Sequence, residues 1–279
     1  MADKIKTYPS SSPGQRGMSV VVYRGSLTKT DPHKSLLKGK KSRAGRNAQG
    51  RITVRHRGGG AKRLLREVDF NQGKVGVLGR VASIEYDPNR SAFIALVVYR
   101  DGEKRYILAS DGLFVGSLIL ASPKASPEKG NRMPLLQIPI GTSVHNVEYQ
   151  PGQGGKIIRS AGSSAVVLSH DKGMTTLKMP SGEIRQFSSD CWASIGQVSN
   201  TLWRLQTWGK AGRMRRRGIR PTVRGSAMNP RDHPLGGGEG KTMRGMARVK
   251  NKWGKPVRGV KTRKRGKYSE RFILQRRKK

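Results

Sequence analysis

The chain has 279 residues, enough for two small domains or one large one, and sets 57 Lys+Arg against 17 Asp+Glu for a formal charge of +40. Such an excess repels itself in an isolated globule, so it calls for a polyanionic partner, with nucleic acid ahead of an anionic membrane. The most apolar stretches, Ala92 to Tyr99 and Leu113 to Ala121, are far shorter than the roughly 18 residues a bilayer span needs, and the single cysteine, Cys191, excludes an internal disulfide or a cysteine-built zinc site.

Taken in chain order, the charge falls into blocks. Residues 1–66 carry 17 basic and 2 acidic residues, a net of +15. The opening MADKIKTYPSSSPGQRG has no charged-then-apolar signal pattern, and an intracellular, reducing compartment is expected. At 51–63, RITVRHRGGGAKR packs four guanidinium groups and an ammonium around three glycines. Glycines let backbone approach a phosphate, and arginines bind its oxygens in a fork or stack on unpaired bases, so this stretch reads as an RNA or DNA contact. It lacks the G-x-x-x-x-G-K-[ST] spacing of a nucleotide-binding loop.

Residues 67–200 carry 14 basic and 12 acidic residues, a net of only +2, and read as all-β. Strands are expected over 76–86 and 91–99, joined by a turn at Asp87-Pro88-Asn89-Arg90. Two more follow over 105–109, after a tight turn at Asp101-Gly102, and over 115–120. Ser122 to Pro134 reads as a boundary. A second set of strands is expected over 143–149, 156–159, 165–168, 174–179, 184–187 and 191–195, with turns at Asp171-Lys172-Gly173 and Pro180-Ser181-Gly182. Short strands at this spacing predict two successive small barrels.

Residues 201–279 carry 26 basic and 3 acidic residues, a net of +23. A helix is expected from about 201 to 210, with Asn200 as its N-cap. Both basic blocks are glycine-rich and poor in apolar periodicity, so each is expected to gain order by threading along a nucleic acid.

Within the last block, MNPRDHPLGGGEG at 228–240 puts a carboxylate beside an imidazole, with a second carboxylate beyond three glycines. As an enzyme site, Asp232 or Glu239 would assist His233 as a general base. Adjacent residues in extended backbone point apart, however, and no nucleophile accompanies them. As a metal site it lacks the ordered spacing of zinc motifs. The preferred reading is a rigid loop inserted into RNA, in which Pro230 and Pro234 restrict the backbone and Asp232 satisfies local backbone donors.

GRNAQGRITVRHRGGGAKRLLREVDF at 45–70, IEYDPNRSAFIALVVYRDGEKRYILA at 84–109, IPIGTSVHNVEYQPGQGGKIIRSAG at 138–162 and GKAGRMRRRGIRPTVRGSAMNPRDHPLGGGEG at 209–240 resemble, in the same order, the family of the second protein of the large ribosomal subunit in its bacterial form. The resemblance implies an all-β fold: an N-terminal extension at 1–66, an OB-like barrel at 67–125, an SH3-like barrel at 126–200, and a C-terminal extension at 201–279 inserted into rRNA. It implies a non-enzymatic rRNA-binding constituent that supports large-subunit assembly, association with the small subunit and the architecture around the peptidyl-transferase centre. Its partners would be 23S-type rRNA, neighbouring large-subunit proteins and the small subunit, with no membrane and no small-molecule substrate.

The place implied is the cytoplasm, on the ribosome, with an organellar ribosome as the alternative. No cofactor is implied beyond structural Mg ions held through the rRNA. By motif, Arg55, His56, Arg57, Lys62 and Arg63 stand as rRNA contacts, with Arg46 and Arg51 in the same stretch. Arg224, Asn229, His233, Gly236, Gly237 and Gly238 stand as the C-terminal contact loop, with Arg213, Arg215 and Arg231 beside them. The competing reading is an RNA-processing enzyme using Asp232, His233 and Glu239. The chain departs from the family pattern at Arg231, commonly valine, at Leu235, often histidine, and at Arg216-Arg217, usually Trp-Leu. Residues 241–252 match poorly, and no contact is carried onto them.

Overall fold

The computed structural model describes residues 4–240, 246–264 and 266–277. Packing divides the chain into two units. The first comprises Met1–Lys41, Lys62–Lys210 and Ser269–Lys279, and the second Ser42–Ala61 with Ala211–Tyr268. These units and the blocks drawn from composition are different divisions of the chain, because packing joins segments that are far apart in sequence.

In the first unit, strands β1 (Lys4–Thr7) and β2 (Ser19–Val22) form an antiparallel hairpin, and β3 (Leu37–Gly39) pairs with β4 (Leu64–Arg66). The first hairpin is held by residues from much later in the chain. The Ser19 N–H donates to the Thr207 carbonyl at 3.0 Å, and the Thr207 N–H donates to Ser19 Oγ at 2.9 Å.

Strands β5 (Gly79–Glu85), β6 (Ile94–Tyr99), β7 (Lys104–Leu108) and β8 (Leu118–Ile119) make an antiparallel sheet in the order β7-β6-β5-β8. Alternation along β5 sends Val81 inward and Arg80 outward, as period-two patterning requires. Val81, Phe93, Val97, Ile107 and Ile119 close the first core, each side chain contributing about 1.5–3 kcal/mol. The turn before β6 is closed by Asp87. Its buried carboxylate accepts the Asn89 N–H at 2.8 Å and the Arg90 Nε–H at 2.6 Å.

The second sheet contains β9 (Arg132–Pro134), β10 (Ser143–His145), β13 (Ala165–Asp171), β14 (Met174–Lys178), β15 (Ile184–Ser188), β16 (Trp192–Ile195) and β17 (Ile273–Gln275), in the order β17-β15-β14-β13-β10-β16-β9. Strands β11 (Val147–Glu148) and β12 (Gly155–Ile157) form a separate ribbon beside it. Its core gathers Met133, Leu135, Val144, Val167, Leu177, Phe187 and Cys191, so the cysteine is a buried apolar residue whose thiol pKa is pushed up to about 12, chiefly by burial.

The segment 122–134, read as a boundary, runs from the end of the first sheet at β8 to the start of the second at β9, where Met133 packs in the second core and Arg132 is buried with Glu148. Other expectations need correction. The strand expected over 143–149 divides at Asn146. That residue takes a left-handed backbone (φ 49°) and donates from Nδ2 to the Phe70 carbonyl at 3.1 Å. The helix expected from 201 to 210 is a short 3-10 turn over Thr201–Leu205. Asn200 does not cap it, since its side chain donates to the Ser91 carbonyl at 2.7 Å, and Gln206 is already extended. The α-helix α1 lies just beyond, at Ala211–Arg216, in the second unit.

One buried ion pair braces the second sheet. Arg132 and Glu148 are essentially inaccessible and 3.1 Å apart, and Arg132 also donates to the Asn146 carbonyl at 2.8 Å. Burial pulls the guanidinium pKa down, and the Glu148 carboxylate opposes the shift.

Candidate nucleic-acid interface

In the second unit, residues 56–61 lie antiparallel to residues 216–220 immediately after α1. The Gly58 N–H donates to Gly218, the Ala61 N–H to Arg216 and the Arg220 N–H to His56, all to carbonyls at 2.9–3.0 Å, and Arg57 bridges Ile219. Glycine is required here by geometry. At Gly60 (φ +92°) an added Cβ would sit 2.9 Å from the Arg216 carbonyl oxygen and from the Gly218 nitrogen. At Gly45 (φ +74°) it would sit 2.1 Å from the Val54 carbonyl oxygen, where the chain folds back so that Thr53 and Val54 both donate to Gly45.

This backbone zipper brings together two basic stretches separated by more than half the chain. Exposed Arg55 and Arg57 come from one side, and exposed Arg215, Arg216 and Arg220 from the other. Arg46 and Arg51 are exposed on the preceding turn, where Asn47 accepts the Arg51 N–H at 2.9 Å. Arg213 is partly buried. His56 is also partly buried, with a left-handed backbone (φ 59°) that turns its carbonyl toward Arg220. Lys62 and Arg63 fall in the first unit: Lys62 is exposed, whereas Arg63 donates to the Pro88 carbonyl at 2.9 Å.

The 228–240 loop is self-supporting. The Asn229 carbonyl accepts the N–H groups of Asp232 and His233, at 3.0 and 3.2 Å, and the Met228 carbonyl accepts that of Gly237 at 3.0 Å. Those backbone donors therefore go to main-chain oxygens rather than to the Asp232 carboxylate, which is exposed and lies 3.9 Å from Arg231 Nε. The His233 ring points elsewhere. Its Nδ1 accepts the Leu235 N–H at 3.0 Å, which leaves the proton on Nε2 in the neutral ring. A Cβ on Gly225 would sit only 2.3 Å from that ring.

Gly236 and Gly237 are needed by the loop itself, because Cβ atoms there would meet the Asn229 carbonyl oxygen at 2.4 Å and Pro230 Cγ at 2.7 Å. Gly238, Glu239, Arg224 and Arg231 are exposed. Beside the loop is a recess of about 520 Å³ lined by Arg55, Val223, Met228, Asn229, Asp232 and Lys252, which joins the two sequence-predicted stretches in one place. Among the described residues no three His, Cys, Asp or Glu side chains are grouped to hold a metal ion.

The first unit holds a feature that sequence reasoning missed. Two guanidinium groups flank Phe70, with Arg159 4.4 Å and Arg90 5.3 Å from the ring centroid. The Arg159 pKa is lowered, first by burial and then by repulsion from Arg90; Arg90 is itself paired with the Asp87 carboxylate, so Arg159 is the cation of the two left without a carboxylate in its described contacts. The signal in the sequence was weak: DPNR and IIRSAG each contain one arginine, and nothing local says that Phe70 lies between them.

The family comparisons bear on this arrangement directly. A profile described as Ribosomal Proteins L2, RNA binding N-terminal domain, matches residues 33–121, and one described as Ribosomal Proteins L2, C-terminal domain, matches residues 128–254. The chain belongs to the ribosomal protein L2 family. The two sheets are accordingly its OB-like barrel followed by its SH3-like barrel, and an L2 protein is a structural rRNA-binding constituent of the large ribosomal subunit, located on the ribosome.

Proposed function

We propose that this L2-family chain binds 23S-type rRNA through two surfaces, and that it supports large-subunit assembly, subunit association and the architecture around the peptidyl-transferase centre without performing chemistry. The observation that carries the reading is the zipper of 56–61 against 216–220, which gathers arginines from both basic extensions beside the 228–240 loop. On this reading Arg46, Arg51, Arg55, Arg57, Arg213, Arg215, Arg224 and Arg231 meet phosphates, with His56, Asn229 and Gly238 at the same surface. His233, Gly236 and Gly237 shape the loop, and Lys62 and Arg63, which belong to the first unit as Phe70 does, serve the second surface. The partners are large-subunit rRNA, neighbouring subunit proteins and the small subunit in a cytoplasmic ribosome, with structural Mg ions held by the RNA.

A nuclease built on Asp232, His233 and Glu239 is disfavoured because His233 is engaged with its own loop through Leu235 and Gly225. Two experiments test the proposal. The purified chain incubated with structured RNA, with and without divalent metal, is expected to bind in a salt-sensitive way without turnover, and metal-dependent cleavage would overturn it. His233→Ala particles that assembled normally yet lost peptide-bond formation by several orders of magnitude would overturn the positioning role.

A further inference from the structure

Residues 249–257 of the second unit form a small closed hairpin in which Lys250 bridges Pro256, the Val257 N–H donates to Val249, and Asn251 and Lys255 bond through the main chain at 2.9 Å. The turn is set by the Asn251 side chain, whose Oδ1 accepts the N–H groups of both Trp253 and Lys255 at 3.0 Å, and by Gly254 at φ +75°. At its tip stands Trp253, 64% exposed, whereas Trp192, Trp203 and Trp208 are all partly buried. Lys252 Nζ lies 4.8 Å from the indole centroid and covers one face.

Leaving a large indole in water on a pre-organised turn forgoes the stabilisation its burial would bring, so the tip is built to meet something flat and apolar. Its surroundings specify the charge of that partner. Arg248, Lys250, Lys252, Lys255 and Arg258 surround the tip in sequence, and no acidic residue occurs between Glu239 and Glu270. Lys252 also lines the recess shared by Arg55, Asn229 and Asp232. An aromatic face among cations is the surface on which an unpaired nucleobase stacks while its phosphates are neutralised.

We propose that Trp253 is a stacking finger for an unpaired RNA base, held out by the Asn251 turn. This rests on the rRNA-binding reading above and adds a site of its own to it. The test compares wild type, Trp253→Ala and Trp253→Phe, as the full chain, on deproteinised large-subunit rRNA and on a blunt RNA duplex. Circular dichroism of each variant checks that the fold is retained.

Trp253→Ala is expected to weaken rRNA binding roughly 5- to 150-fold, the equivalent of about 1–3 kcal/mol at 1.4 kcal/mol per tenfold, with duplex binding changed by less than about twofold. The salt slope should hold, because no charge is removed. Trp253→Phe is expected to keep most of the affinity, and the quenching of tryptophan emission on rRNA should be smaller for it than for wild type. Wild-type affinity in Trp253→Ala, or an equal loss on duplex, would overturn the inference, as would quenching unchanged in Trp253→Phe. Failure of the wild type itself to bind rRNA would instead sink the reading beneath it.

Discussion

Substituting Gly60→Ala separates architecture from charge at the interface, because it removes no basic group. Gly60 sits at φ +92°, where an L-residue costs about 1–2 kcal/mol, and the new Cβ would meet main-chain atoms of Arg216 and Gly218 at 2.9 Å, which cannot swing aside as a side chain would. Relief requires the strands to part. The bonds from Gly58 to Gly218 and from Ala61 to Arg216 are then lost, at about 0.5–1.5 kcal/mol each. The zipped state is thereby weakened by about 2–5 kcal/mol. If rRNA binds that state, affinity should fall by roughly 30-fold or more.

Filter binding or fluorescence anisotropy against large-subunit rRNA over a salt series gives both affinity and slope. Gly60→Ala should lower the affinity at every salt concentration and leave the slope of log K on log[salt] unchanged. Arg57→Ala should make the slope shallower by about 0.7–0.9 for the lost phosphate contact. An unchanged affinity in Gly60→Ala would refute the reasoning, since the interface would then not depend on the zipper. A slope reduced as far as in Arg57→Ala would refute it too, because geometry and charge would no longer be separable.

Glu148→Gln leaves the Arg132 guanidinium buried without its counter-charge and is expected to lower stability by about 3–5 kcal/mol, measured by urea unfolding; a change below about 1 kcal/mol would contradict the described pair. Arg159→Ala should reduce the salt slope on rRNA by about 0.7–0.9 while leaving the Arg90–Asp87 pair intact, and an unchanged slope would remove the Phe70 surface from the interface. His145 is buried and donates from Nδ1 to the Gly196 carbonyl at 3.0 Å, and burial lowers its pKa from 6.5 to about 4. The unfolded chain therefore binds the extra proton first. Stability from this group is intact above pH 6.5 and falls by about 1.4 kcal/mol per pH unit down to pH 4, about 3 kcal/mol in all. His145→Asn should flatten that part of the stability–pH curve, and an equally steep curve in the variant would show that another group is responsible.

The parts of the fold that were legible in the sequence are those set by local chemistry. Alternation marked β5, a continuous apolar run marked β6, and Asp87-Pro88-Asn89-Arg90 announced a turn that the Asp87 carboxylate closes. Misreadings occurred where a distant partner overrides local preference. Asn200 resembles an N-cap, but Ser91 takes its amide, and Asn146 breaks an apparently continuous strand because it reaches Phe70. Strand β17 is a short apolar run inside a basic stretch, and only its pairing with β15 makes it a strand. The candidate site divides in the same way. Arginine and glycine content marked the candidate stretches one by one, whereas the zipper joining 56–61 to 216–220 and the approach of Arg90 and Arg159 to Phe70 are long-range pairings that composition cannot express.

The pairing of β17 with β15 also bears on how the chain is made. Ile184 is opposite Gln275 and Arg185 opposite Ile273, and the Gln186 N–H donates to the Phe272 carbonyl at 2.8 Å. On a chain emerging from its N-terminus, β15 is complete long before its neighbour exists, and its outer hydrogen-bonding groups stay open to any other strand during that interval. In sequence, the stretch 211–268 lies between two segments of the first unit, like a bight of rope made fast at both ends. Its most basic stretch is translated while that edge is still bare, so the nascent chain offers a sticky strand and an RNA-seeking arm at the same moment, until residues 272–275 arrive to cover the first.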